Sequence, residues 1–428
     1  FNPPTFSPFS KCREYFFPSR HTVMQELKQW KDDDVIKVVT GLRRCGKSTL
    51  LAQFQNWLLE NGIENEQIIS INFEELEYED LLDYKKLYAY IKERLAEGKM
   101  TYIFLDEIQK VSDFEKVVDS LNVKPYVDIY ITGSNAYMLS GDLATLLTGR
   151  YVEIKMLPLS FAEFMEVTNL RKEDAFEEYL RCGGLPYVAT MNRTGEKVDT
   201  YLEGIYNTVI VRDIEDRQAR LEQDKKLRKI TDISLLKSIA KYLASTIGSP
   251  VSAKSITDYL ISSGRKVSNT TVGDYADALT EAFIFYSAQR YDVVGKQLLK
   301  SNGKYYIVDL GLRNHILPRR KYDLGFSIEN IVYLELLRRG YRVFIGKVGT
   351  TEVDFVAEQQ GVYTYFQVTA DMAAEETFNR EIAPLKNIKD NYEKIILTLD
   401  RVTLGNYEGI EVINLLDWLL NVNQSIMY

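Results

Sequence analysis

The segment Val38-Val39-Thr40-Gly41-Leu42-Arg43-Arg44-Cys45-Gly46-Lys47-Ser48-Thr49-Leu50-Leu51 constrains the fold more than any other part of the chain. An apolar strand runs into Gly-x-x-x-x-Gly-Lys-Ser and then into the opening of a helix, the layout of a phosphate-binding P-loop. The two glycines let the backbone wrap an anion with successive N–H groups pointing inward. The helix that follows adds its positive N-terminal end. Lys47 is placed to reach the β- and γ-phosphates of a nucleotide, and the Ser48 hydroxyl to ligate Mg²⁺. Gly41, Leu42, Arg43, Arg44, Cys45, Gly46, Lys47, Ser48 and Thr49 are therefore the expected nucleotide contacts, with Arg43 and Arg44 meeting either phosphate or a neighbouring domain.

A P-loop needs a partner carboxylate for Mg²⁺ at the end of a buried parallel strand. Thr101-Tyr102-Ile103-Phe104-Leu105-Asp106-Glu107-Ile108 supplies one. Its apolar run reads as a strand covered on both faces. Asp106, where the strand emerges, is the expected metal carboxylate, and Glu107 beside it the residue that orients and deprotonates the attacking water. A third strand, Asp128-Ile129-Tyr130-Ile131-Thr132-Gly133-Ser134-Asn135, ends in small polar residues. A resemblance to additional-strand P-loop ATPases implies that a polar residue here, Ser134 or Asn135 with Asn135 preferred, touches the γ-phosphate and the water; a Gly-Ser-Asn turn capping the next helix is the alternative. A fourth apolar strand, Ile68 to Phe73, runs into Glu74-Glu75. Arg150, in Thr148-Gly149-Arg150, is the candidate transition-state or interdomain arginine.

Composition narrows the class. At 428 residues, two to four domains are expected. Three cysteines, Cys12, Cys45 and Cys182, are odd in number and far apart, which suits a reducing cytoplasm and gives no disulfide framework. Only two histidines are present, His21 and His315, so histidine-based catalysis and zinc binding are not expected. No apolar run is long enough for a membrane span. The net charge of −8 argues against nonspecific coating of nucleic acid. The chain opens at Phe1 rather than Met, as expected of a trimmed N-terminus.

The combined signature resembles that of bacterial and archaeal AAA-family ATPases carrying a C-terminal domain of unknown function. The matching pieces are the P-loop, Ile71-Asn72-Phe73-Glu74, Phe104-Leu105-Asp106-Glu107-Ile108-Gln109, Thr132-Gly133-Ser134-Asn135, Leu147-Thr148-Gly149-Arg150, Leu157-Pro158-Leu159-Ser160-Phe161 and Gly183-Gly184-Leu185-Pro186, in that order. The resemblance spans most of the chain. It implies an ATP-binding core with a small helical lid.

Beyond the core, residues 231–282 read as three amphipathic helices, each opened by a polar cap and separated by Gly248-Ser249-Pro250 and Gly264-Arg265-Lys266. Two β-rich runs follow, Phe283 to Tyr286 and Lys304 to Val308, with Lys296 to Gly303 expected as a polar loop. Three helices and a hairpin make a winged helix. The helix opening Ser268-Asn269-Thr270-Thr271 would read a DNA groove, and Arg265, Lys266, Lys296 and Lys300 would meet phosphates, if DNA is the partner. A protein partner is the alternative.

The C-terminal order, a helix from Glu329 to Gly340 and then three strands, is similar to restriction-endonuclease-like domains. In those a helix glutamate, a strand aspartate and a Glu-x-Lys or Gln-x-Lys come together. Glu329 and Asp354 match the first two. The third reads Gln367-Val368-Thr369, with Thr369 where the lysine should stand, so no ammonium is available there to orient water. A degenerate site is expected.

The chain is thus expected to be α/β and multidomain. A tail (1–22) leads into a P-loop NTPase parallel sheet (23–158), a helical lid (159–222), a winged helix (223–320) and a restriction-endonuclease-like α/β domain (321–428). The expected function is Mg²⁺-dependent ATP binding and hydrolysis by a cytoplasmic switch or motor, coupled to C-terminal domains that contact DNA or protein. A DNA-binding regulator with ATP as allosteric ligand, and an ATP-dependent nuclease, are the alternatives.

Overall fold

The computed structural model describes residues 20–133, 149–209, 230, 232–317 and 324–421. The chain enters through α1 (His21–Gln29) and continues as β1 (Ile36–Thr40), α2 (Lys47–Glu60), β2 (Ile68–Asn72), α3 (Tyr84–Lys92), β3 (Thr101–Asp106), α4 (Phe114–Asn122), β4 (Val127–Gly133) and β5 (Tyr151–Lys155). These strands form a sheet in the order β2-β3-β4-β1-β5, with every pairing parallel. All residues of β1 and β3 are buried. That explains why these strands read as continuous apolar runs rather than alternations: helices cover both faces. In this order the carboxyl ends of β1, β3 and β4 lie side by side, where open α/β sheets place ligands. Arg20, which the sequence reading assigned to the tail, is buried at the start of α1.

Among the described residues four helices follow: α5 (Phe161–Thr168), α6 (Lys172–Cys182), α7 (Pro186–Thr190) and α8 (Gly195–Thr208). A capping box opens α5, with the Ser160 hydroxyl accepting the Glu163 N–H at 3.1 Å and Glu163 accepting the Ser160 N–H at 2.8 Å.

The rest of the chain comprises α9 (Ile233–Ser245), β6 (Pro250–Val251), α10 (Ala253–Ser262), α11 (Asn269–Glu281), β7 (Phe285–Asp292), β8 (Gln297–Ile307), α12 (Leu310–Ile316), α13 (Leu324–Arg338), β9 (Arg342–Val348), β10 (Thr351–Gln359), β11 (Val362–Thr369), α14 (Glu375–Lys386), β12 (Glu393–Thr398), β13 (Gly405–Tyr407), β14 (Ile410–Asn414) and α15 (Leu415–Leu420). Side chains of Asp232, Ser252 and Ser268 accept N–H groups at the starts of α9, α10 and α11, as their cap positions require.

Two features differ from the sequence reading. The polar stretch 297–303 is strand, not loop. Asp292 accepts the N–H groups of Val294 and Gly295 at 3.1 and 3.0 Å, so the chain turns within a few residues and both hairpin strands lengthen. The hairpin also does not stand alone. β7 pairs in parallel with β9 from Arg290↔Ile345 to Asp292↔Lys347, which fuses it into a nine-stranded sheet, β13-β14-β12-β11-β10-β9-β7-β8-β6. One apolar cluster runs from Val23 on α1 to Leu419 on α15, linking the first sheet to the second. Among the described residues no helix is long and apolar enough to cross a membrane.

Candidate nucleotide site

β1 is held between β4 and β5, and its end releases the loop at Gly41. There φ is +147°, and a Cβ would stand 2.1 Å from the Met156 carbonyl oxygen, so only glycine fits. Gly46, at φ +103°, caps α2 from the left-handed region. Lys47, 4% exposed, donates from Nζ to the carbonyls of Gly41 and Leu42 at 3.0 and 3.2 Å. Its ammonium therefore sits across the mouth of the loop. Ser48, the next residue, lies near enough to the Asp106 carboxylate for its hydroxyl to favour the charged form.

Asp106, at the end of β3, is buried. Burial raises its pKa; the hydroxyls of Ser48 and Thr132 and the charge of Lys47 oppose the rise, and Glu107 adds to it. The Thr132 hydroxyl donates to Asp106 Oδ1 and accepts the Glu107 N–H at 2.9 Å. Glu107 takes a left-handed φ of +55° and is also buried, its Oε2 accepting from Gln109. One threonine thus fixes both members of the Asp-Glu pair. The sequence pointed to the neighbours Ser134 and Asn135 instead, because the role of Thr132 depends on β4 lying beside β3. Ser134 and Asn135 lie outside the described residues.

Two further arginines are placed by the geometry. Arg43 Nη1 reaches Glu74 at 3.5 Å, and the Arg44 guanidinium lies 5.8 Å from the ring centre of Tyr201 on α8, so Arg44 meets the neighbouring helical segment. Arg150 lies apart from the cluster. It precedes β5, its carbonyl accepts the Ile36 N–H, and its side chain pairs with Asp119 at 2.7 Å. Five strand residues, about 16 Å, separate that end of the sheet from the P-loop, so Arg150 does not reach this chain's own phosphates.

An AAA domain model matches residues 33–165, and a domain of unknown function, DUF8612, matches residues 173–323. An uncharacterized protein of Haemophilus influenzae is 41% identical over 408 residues, 94% of this chain and 98% of its own. The uncharacterized protein MJ1544 of Methanocaldococcus jannaschii is 30% identical over 411 residues, covering 89% of this chain and 85% of its own. This chain belongs to one family with these two proteins, and its residues 33–165 are an AAA domain. Among solved structures, the Walker-type ATPase PABY2304 of Pyrococcus abyssi gives a TM-score of 0.46 at 17% identity, covering 71% of this chain and 97% of that one. Cdc6p of Pyrobaculum aerophilum gives 0.29 at 13%, covering 78% and 97%.

Around the second sheet the expected C-terminal residues come together, and Lys304 joins them. Glu329, on α13, accepts from Tyr306 at 2.7 Å and from Lys304 Nζ at 3.2 Å. Lys304 also reaches Glu352 at 2.7 Å. The Asp354 N–H donates to Gln367 Oε1 at 3.3 Å, and Gln367 Nε2 donates to Glu381 at 2.9 Å. Burial raises the Asp354 pKa well above its ordinary value, and Glu329 adds to the rise. Thr369 is turned to the Asp371 carbonyl at 3.0 Å. The ammonium missing at 369 is thus supplied from β8, but with its charge already taken by two carboxylates. Of the expected phosphate contacts, Arg265 pairs with Asp232 at 3.6 Å, Lys266 and Lys296 are exposed, and the Lys300 side chain lies outside the described residues. Among the described residues no group of three or more His, Cys, Asp or Glu could hold a metal ion.

Proposed function

We propose that the chain is an Mg²⁺-dependent ATP-hydrolysing switch whose nucleotide state is passed to its C-terminal sheet. The observation that carries this is the row Asp106–Thr132–Glu107, joined through the Thr132 hydroxyl, with Ser48 beside Asp106 at the P-loop. Gly41 leaves no room for a side chain, as a loop that wraps phosphate requires. Ser48 and Asp106 together suit Mg²⁺, which prefers one or two protein oxygens and completes its shell with water and phosphate. Bound there, Mg²⁺ would neutralise charge on the phosphates. Lys47 would bind the β- and γ-phosphates, and Glu107 would orient and deprotonate the water, its backbone fixed by Thr132. Asn135 or Ser134 remains our choice for the γ-phosphate contact, and Arg150 for a contact to a neighbouring molecule. The helices from residue 159 to 222 would act as the lid, with Arg44 and Tyr201 as a contact that closing adjusts. The test is phosphate release against Mg²⁺ concentration: the wild type should need the ion, and Asp106→Asn should show no Mg²⁺-dependent turnover. Equal rates in both would defeat the assignment.

We read residues 223–320 as a winged helix and 321–428 as a restriction-endonuclease-like scaffold that contacts a partner rather than cuts. A second reading, a DNA-binding regulator with ATP as its effector, is favoured by the exposed start of α11, where Ser268, Asn269 and Thr270 face solvent next to Lys266. Gel-shift titrations with and without ATP separate it from a protein-directed switch.

A further inference from the structure

Immediately after β5, four consecutive backbone carbonyls are each engaged by a different part of the chain. The Met156 oxygen packs on Gly41 of the phosphate loop and accepts from Cys45 Sγ at 3.6 Å. The Leu157 oxygen accepts from Arg20 Nη2 at 2.7 Å. The Pro158 oxygen accepts from Arg338 Nη2, on the last residue of α13, at 2.7 Å. The Leu159 oxygen accepts from the Tyr179 hydroxyl on α6 at 2.7 Å.

The two arginines close this strap at both ends. The Arg20 guanidinium, 5% exposed, also donates to the Cys45 carbonyl inside the phosphate loop at 2.6 Å and to Glu163 at 2.9 Å. Arg338 Nη1 holds Glu335 at 2.7 Å, one helical turn from its own position on α13 and well inside the protein. Burial alone would raise the Glu163 pKa, but the charges of Arg20 and then Arg338 bring it below its ordinary value, so both arginines act on one carboxylate. α13 also carries Glu329, the centre of the Lys304 cluster. A continuous polar path therefore runs from Cys45 through Arg20, the strap and Arg338 to α13.

This path ends in the part of the loop that a nucleotide must disturb. The Lys47 ammonium is bonded to the Gly41 and Leu42 carbonyls, and a phosphate in the loop competes for it. Gly41 cannot shift without moving against Met156, because their backbones are already in contact.

We propose that the strap from Met156 to Leu159 couples the phosphate loop to α13, with Arg338 as the positioning residue through which nucleotide state and C-terminal sheet set each other. The coupling is reciprocal: whatever shifts α13 changes nucleotide affinity by the factor with which nucleotide shifts α13. This rests on the ATP-binding reading above.

The experiment uses the full chain and two readouts. Hydrogen exchange is followed over the α13 segment with and without Mg²⁺-ATP, and the affinity for a fluorescent ATP analogue is measured for wild type, Arg338→Met and Arg338→Lys, with circular dichroism as the check on folding. The expected result is ATP-dependent protection across α13 in the wild type. Arg338→Met should lose that protection and bind nucleotide on the order of fivefold or more weaker; Arg338→Lys, which can still donate to Pro158, should recover part of both. If the wild type binds nucleotide but α13 exchange does not change, the coupling is overturned and the ATP-binding reading stands. If the wild type binds no nucleotide, both fall. Should Arg338→Met fail to fold, the wild-type exchange measurement and Arg338→Lys decide alone: weaker nucleotide binding with reduced protection in Arg338→Lys supports the path, and unchanged affinity with unchanged protection overturns the role of Arg338.

Discussion

The Thr132 hydroxyl donates its hydrogen bond to the Asp106 carboxylate. It does so at the junction of β3 and β4, while its oxygen also takes the Glu107 N–H. Thr132→Val keeps the shape and removes the hydroxyl. Turnover should fall about tenfold or more while ATP affinity changes little, because a misplaced metal carboxylate and base act on the chemical step. Binding and phosphate release measured on the same preparation check the split.

Asp106 gives a pH test. Its folded pKa is raised, chiefly by burial. A carboxyl group raised in this way contributes stability that is fully present below its unfolded pKa and is lost as pH rises through the folded value. Asp106→Asn should therefore raise the melting temperature of the nucleotide-free protein at neutral pH more than at acid pH. Melts at the two pH values give the comparison, and a shift of the same size at both contradicts it.

Gly183 is a stability test of the joint between α6 and α12. A Cβ there would stand 2.1 Å from Asp309 Oδ1, at a φ of +76°. Asp309 is buried, and its Oδ2 accepts the Gly184 N–H at 2.7 Å. Gly183→Ala must displace that carboxylate and adopt a strained backbone, so a loss of about 2 kcal/mol or more is expected, read from urea unfolding. Burial pushes the Asp309 pKa up to about 6 against four backbone N–H groups. Its contribution to stability is therefore present below its unfolded pKa and lost as pH rises toward 6.

Lys304→Met should leave Glu329 buried without its cation and cost about 3–5 kcal/mol. The double change Lys304→Met with Glu329→Gln should recover a large part of that loss, as the unpaired charge goes with it. Unfolding midpoints of the single and double variants test whether the ammonium serves mainly to neutralise the carboxylates.

What the sequence revealed and what it hid follow from distance along the chain. The P-loop and the Asp106–Glu107 pair are local: a buried strand shows as an apolar run, and the chemistry sits at its end, so both were legible. Thr132 was readable only once β3 and β4 were known to be neighbours. Lys304 was not legible as part of the Glu329 cluster, because the β7–β9 pairing that brings β8 there joins segments with no local signal. Arg20 looked like tail because nothing near it in sequence announces the carbonyls of Cys45 and Leu157 that it satisfies. Hairpin length was misjudged because polar residues on an exposed strand look like loop until the Asp292 turn is seen.

The most direct test of the account is Mg²⁺-ATP binding and phosphate release by the purified full chain, compared with Lys47→Ala and Glu107→Gln. The wild type should bind and hydrolyse ATP, Lys47→Ala should lose binding, and Glu107→Gln should bind normally but turn over about 10²–10⁴-fold more slowly. Equal phosphate release from all three proteins would contradict it.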